Sequence, residues 1–168
     1  MLAQLFRALS PYQPTLIGTY PLGLQVDGSD FDIACTCDDL DSFERAVRAT
    51  LADLGIAARI KRAPRSPAPA VVAAFALDDA AVEIFAQTLP VTAQRGFRHM
   101  VIEGQLLVLG GAALAARVRD LKRTGLKTEP AFAQLLGLGG DPYESLLTLE
   151  TASPDQLRAL VAGALAAT

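Results

Sequence analysis

Two carboxylates one residue apart, in Asp30-Phe31-Asp32-Ile33, carry the strongest chemical signal in the chain. A strand alternates its side chains, so Asp30 and Asp32 are expected on one face, with Phe31 and Ile33 on the other. Like charges held side by side repel, and such a pair is tolerated where a cation, most often Mg2+, sits between them. A third acid, Glu83, interrupts another apolar strand between Val82 and Ile84. An acid in mid-strand is costly if buried unpaired, so it lies at an edge, is paired, or serves as a ligand. Taken alone, Glu83 reads as a solvent-facing strand residue. Taken with Asp30 and Asp32, it completes a three-carboxylate platform for one or two Mg2+ ions, which can clamp a triphosphate and lower the pKa of an attacking hydroxyl.

Gly18-Thr19 fits the same chemistry, because a glycine after a strand lets the backbone approach a phosphate, and the neighbouring hydroxyl and N–H groups can bond its oxygens. The elements that must position these residues are legible in outline. Leu2, Leu5, Phe6 and Leu9 line one face of a first helix, Thr15 to Thr19 reads as a short strand, and Ser29 to Cys37 as a second. Leu40, Phe43, Val47, Leu51 and Leu54 recur at helical spacing after Asp38-Asp39-Leu40-Asp41, where Asp41 and Glu44 suggest a capping box, and Gly55 ends the helix. Ile56 to Arg62 reads as a strand, and Val71 to Leu77 with Ala81 to Ala86 as an antiparallel hairpin across Asp78-Asp79-Ala80. Beyond Pro90 the pattern turns helical: Thr92 to Leu109, a break at Gly110-Gly111, Ala112 to Arg123, Pro130 to Leu138, Tyr143 to Leu149 and Pro154 to Ala166. The expected fold class is α/β (α+β), a mixed β-sheet with flanking helices over residues 1–90, followed by a C-terminal α-helical portion, 91–168, packed on that core.

Composition bounds the reading. The 168 residues are 51% hydrophobic and 20% charged, a globular balance, and the formal charge of -3 gives no general attraction to nucleic acid or anionic lipid. The apolar stretches Ala70 to Leu77 and Leu106 to Ala116 are shorter than a membrane span requires, so a cytoplasmic protein without membrane association is expected. Cys35 and Cys37 share the strand parity of Phe31 and Ile33 and are read as buried thiols.

The run Ile17-Gly18-Thr19, ten residues, then Asp30-Phe31-Asp32-Ile33 resembles the signature of the DNA polymerase beta-like nucleotidyltransferase superfamily, with Gly23 and Ser29 also in place and Val82-Glu83-Ile84 as the later acid triplet. The rest of the chain, including Gln94 to Met100 and Leu121 to Pro130, looks like a small bacterial family of nucleotidyltransferase-like proteins, a domain of unknown function. The resemblance implies that Asp30, Asp32 and Glu83 bind Mg2+ (or Mn2+) and serve catalysis, Glu83 at a second metal or as base. It implies that Gly18, Thr19 and Ser29 meet the nucleoside triphosphate, and that a nucleoside monophosphate passes to a hydroxyl on a small molecule, a protein or an RNA end.

The loop Tyr20 to Gly28 contains no Lys or Arg, and Tyr20 and Leu22 stand where many members of the superfamily carry Arg. Replacement cations are sought in Arg95, Arg98 and His99, the first and last at i and i+4 on one helix face, each weighed against a salt bridge or structural hydrogen bond. Lys122 and Lys127 stand between surface and ligand roles. Arg59, Lys61, Arg62 and Arg65 form a basic stretch without the stacking aromatics a single-strand binder uses, so extended nucleic-acid binding is not expected. The competing reading is a catalytically weak or inactive binding or regulatory protein on the same fold, such as a toxin–antitoxin-like partner.

Overall fold

The computed structural model describes residues 1–64, 67–78 and 80–167. Arg65, from the expected basic stretch, and Asp79, from the expected hairpin turn, lie outside the described residues. The chain divides into two compact units, Met1–Ile17 with Gly28–Phe97, and Gly18–Asp27 with Arg98–Thr168.

The first unit contains helices α1 (Leu2–Ala8) and α2 (Leu40–Asp53) and strands β1 (Thr15–Ile17), β2 (Phe31–Thr36), β3 (Arg59–Ala63), β4 (Ala70–Leu77) and β5 (Ala80–Gln87). The strands form one mixed sheet in the order β1-β2-β5-β4-β3. Only β2 and β5 run parallel; the other neighbours are antiparallel. A parallel pair needs a long crossover, and here α2, β3 and β4 supply it. The β4–β5 hairpin is present as its alternating apolar runs predict.

One face of the sheet buries Ile33, Cys35, Val71, Ala73, Ile84 and Ala86 in a core shared with Leu5 and Leu9 of α1 and Phe43, Val47 and Leu51 of α2. Strand parity therefore gives Cys35 the burial expected of it, and Cys37 follows at the strand end. Tyr12 meets Phe43 edge to face at 4.9 Å between ring centroids. The cap of α2 differs from expectation. Asp39, in extended backbone, accepts from Ser42 N at 2.7 Å, while Asp41 and Glu44 both pair with Arg62 of β3. A capping box needs its first member outside the helix, and Asp41 is already inside it.

The second unit is helical, with α3 (Arg95–Arg123, in this unit from Arg98), α4 (Thr128–Leu135), α5 (Pro142–Leu147) and α6 (Pro154–Ala166). Gly111 (φ 56°, ψ -151°) interrupts α3 where the sequence suggested a break, and the helix resumes beyond it. By length and composition α3 is able to cross a membrane, which the shorter apolar stretch at 106–116 did not suggest. Its inward stripe of Ile102, Leu106, Leu114 and Val118 instead fills a second core with Leu24, Phe132, Leu146 and Val161. Helix α6 opens with a capping box between Ser153 and Gln156, and Pro154 sits in its first turn. Helix α4 begins at Thr128, two residues before Pro130, because proline is tolerated in a first turn.

Candidate active site

In the first unit, the register pairs Asp32 directly with Glu83 across the parallel β2–β5 ladder. Backbones in such a ladder lie about 4.8 Å apart, and paired residues point to the same face. That face is opposite the α1–α2 core. It also carries Ile17, the β1 partner of Asp32, and Phe85, two residues beyond Glu83. Both acids are half-buried. At the N-terminus of α3, Gly96 keeps this face close: a Cβ there would stand 2.7 Å from Ile17 Cδ1 and 3.7 Å from Phe85 Cζ. Gln94, fully buried two residues earlier, donates from Nε2 to the carbonyls of Cys35 at 2.8 Å and Leu89 at 3.0 Å.

Asp30 does not share the strand with Asp32. Strand β1 stops pairing at Ile17, because Gly18 takes a left-handed φ of 73°, and the last β2–β5 pair is Phe31 with Val82. Asp30 and Ser29 precede the strand, both half-buried. Among the described residues no group of three or more His, Cys, Asp or Glu side chains converges closely enough to hold a metal ion. What the backbone does bring together is a pair of hard oxygen donors, the type that Mg2+ and Mn2+ select over softer metals.

Thr19 lies in a second polar cluster, inside the helical unit. Lys122 Nζ donates to Thr19 Oγ1 and to Thr128 Oγ1, each at 2.8 Å, and the two hydroxyls are 3.2 Å apart. All three side chains are buried, Lys122 at only 9% exposure, whereas Lys127 is exposed. Lys122 comes from the far end of α3. Arg119, one turn earlier, donates to the carbonyl of Gly23 at 3.0 Å.

The remaining cations suggested by sequence are placed differently from one another. Arg95 is half-buried in the first unit. Arg98 grips Glu150 with both ends of its guanidinium, Nε to Oε1 at 2.7 Å, and each partner shifts the other toward its charged form. His99 is buried, with Nε2 2.9 Å from the carbonyl of Tyr143 and Nδ1 3.7 Å from Glu129 Oε1. A carbonyl only accepts, so Nε2 carries a hydrogen.

Lys122, Thr128 and Glu103 are the polar residues of this cluster that sequence reading underweights. The signal was available. His99, Glu103, Leu106 and Gly110 before the Gly111 interruption, and Leu114, Val118 and Lys122 after it, recur at spacings of three and four, which marks a buried stripe on each side of the break.

The sheet order, its acid pair and the helices that follow define a nucleotidyltransferase fold. Solved structures of similar shape include the Cid1 poly(U) polymerase bound to MgATP, at 15% identity and a TM-score of 0.56, over 88% of this chain and 45% of that one. The GLD-2/RNP-8 complex matches at 16% identity and 0.55, over 92% and 50%. The polymerase core of TRAMP, an RNA surveillance complex, matches at 13% and 0.51, over 95% and 52%. This chain spans about half the length of those chains. A search of curated proteins returned no match. The chain belongs to the family described as a domain of unknown function, DUF4269, whose profile matches residues 2–149.

Proposed function

We propose that the protein is a metal-dependent nucleotidyltransferase of the DNA polymerase beta-like kind, moving a nucleoside monophosphate from a nucleoside triphosphate to a hydroxyl acceptor. The observation that carries this reading is the register pairing of Asp32 with Glu83 on parallel strands. Asp32 and Glu83, with Asp30 beside them in sequence, would hold Mg2+ or Mn2+. When bound there, the ion supplies charge neutralisation for the triphosphate and acidifies the attacking hydroxyl. Within the helical unit itself, Lys122, Thr19 and Thr128 bring an ammonium and two hydroxyls to one point, groups of the kind that bond phosphate oxygens. The acceptor oxygen forms its bond to the α-phosphorus, the bond from that phosphorus to the β-phosphate oxygen breaks, and pyrophosphate leaves. Glu83 either completes the second metal site or takes the acceptor's proton. An RNA end is favoured among the acceptors by structural neighbours that include a poly(U) polymerase and the core of an RNA surveillance complex; a small molecule or a protein hydroxyl is the alternative.

A second reading, a binding or regulatory protein with little catalysis, is favoured by the loop Tyr20 to Gly28, which carries no Lys or Arg. One titration separates the two. Mg2+ or Mn2+ is added with each nucleoside triphosphate while melting temperature is followed, and the series is repeated with Asp32→Asn. A metal-dependent nucleotide shift that disappears in the variant supports the transferase reading. No shift with any triphosphate at millimolar metal overturns it, since a ligand of the folded state must raise stability.

A further inference from the structure

One row of residues crosses all five strands of the sheet. Ile17 pairs with Asp32, Asp32 with Glu83, Glu83 with Ala74, and Ala74 with Arg59 of the edge strand β3. Paired residues share a face, so the two acids and Arg59 project from the same side, opposite the α1–α2 core. The row is closed at one end and open at the other. On the β1 side Ile17 is buried, with Gly96 at the start of α3 against it. On the β4 side Ala74 is exposed, as are Ala76 and its partner Ala81, so only a methyl group stands between Glu83 and Arg59 in the row. Arg59 lies two strand spacings from Glu83, roughly 10 Å at the backbone. Lys61 shares the face of Arg59 about 7 Å along β3, close to the separation of successive phosphates in a nucleic-acid strand. Both cations are exposed, and among the described residues neither is in an ion pair. Arg62, on the opposite face, is held by Asp41 and Glu44.

We propose that the open end of this row seats the 3′ end of an RNA acceptor, its last ribose over the alanine floor and its last two phosphates on Arg59 and Lys61, an acceptor site that rests on the transferase reading above. On that reading the attacking hydroxyl is activated at Asp32 and Glu83, so the body of the acceptor extends to one side of them. Ile17 closes the β1 side, which leaves the side of Ala74. Small side chains there let a ribose and base lie close to the sheet. Phosphate contacts position a nucleic acid without reading its sequence, and two of them fix the direction in which the strand runs. The acids repel a polyanion laid directly over them, so cations set beyond the floor draw the phosphates away and leave the hydroxyl at the acids. Two contacts make a short grip, in keeping with a net charge of -3 that supports no long track. A neutral acceptor gains nothing from either cation, and an acceptor with one phosphate uses only one of them.

The test uses the full chain and a short oligouridylate labelled at its 5′ end, with millimolar Mg2+ and no triphosphate, and reads binding by fluorescence anisotropy. Each phosphate contact to a single strand makes affinity fall about 2.6-fold over a fourfold rise in salt. Arg59→Gln and Lys61→Gln should each weaken binding and reduce the wild-type salt dependence by about that factor. Arg62→Gln, the same loss of charge on the opposite face, should leave the salt dependence unchanged. An equal effect of all three substitutions overturns the proposal, because it reports net charge alone. No effect of Arg59→Gln or of Lys61→Gln also overturns it, and leaves the cations the role of guarding a sheet edge. An oligonucleotide whose last two linkages are neutral methylphosphonates tests the claim on the unaltered protein. It should bind the wild type as weakly as ordinary RNA binds the double variant, and undiminished binding overturns the assignment. A wild type that binds no oligonucleotide at low salt overturns it as well. The transferase reading is judged apart from all of these by the melting shift with metal and triphosphate, which needs no acceptor.

Discussion

Lys122 and Thr19, 103 positions apart in sequence, meet at 2.8 Å inside the second unit. The same ammonium donates to Thr128, which opens α4. Replacing Lys122 with Met keeps length and removes the charge. A charge-assisted hydrogen bond contributes about 1.5–3 kcal/mol, so Lys122→Met should weaken tripolyphosphate binding roughly 10- to 100-fold. Calorimetry reads this directly, and an unchanged affinity would remove Lys122 from the phosphate site.

Glu83→Gln tests the other half of the assignment. Glu83 and Asp32 are like charges in direct register, an arrangement that opposes folding by up to about 1 kcal/mol. The metal-free variant should therefore be as stable as the wild type or slightly more so by urea denaturation. Its melting temperature should no longer rise with Mg2+ and triphosphate together. A retained shift would assign the metal to other residues.

Glycine positions offer a paired control on packing. A Cβ at Gly110 would stand 2.5 Å from Leu114 Cβ, and Leu114 is fully buried. Gly110→Ala should cost about 1–3 kcal/mol, despite alanine's better helix propensity. At Gly163 on α6 a Cβ meets nothing within 4 Å, so Gly163→Ala should gain up to about 1 kcal/mol. Denaturation midpoints measured side by side give both signs.

Burial in β2 pushes the Cys35 thiol up to about 12 from an ordinary 9.0, with Cys37 adding to the effect. Between those values the unfolded chain has lost the proton and the folded chain keeps it. Stability therefore falls as pH rises through that window, by at most about 1.4 kcal/mol per unit, and the thiol has no such effect below it. Cys35→Ala removes this component at the expense of a small void. The stability advantage of wild type over variant, measured by denaturation at pH 8, 9.5 and 11, should shrink steadily; a constant difference would mean the thiol is not shielded.

The parts of the fold that sequence reveals are those governed by local periodicity. Alternation marks β4 and β5, and helical spacing marks α2 and α6. Ile33 and Cys35 face the core because parity leaves them no other side. The Asp32–Glu83 pair is half legible: each acid interrupts an apolar run, but their register depends on a parallel crossover of 43 residues, 37–79. Asp30 falls just outside the strand, because strand length is decided by where neighbouring strands pair and β1 stops at Ile17. Lys122 is the least legible of all. A lysine near the end of a long helix reads as solvent-facing until the partner, supplied by a distant loop, is known.

The loop from Gly18 to Asp27 has a further consequence for how this protein can be inherited or dissected. Its residue Leu24 is fully buried in the helical unit's core, although the loop is written between two strands of the sheet unit. The chain therefore crosses from one unit to the other three times, after residues 17, 27 and 97. No single cut yields two whole modules. A shortened gene ending at residue 97 would encode Leu24 without the core it enters, and one beginning at residue 98 would lack Thr19, the hydroxyl that Lys122 holds.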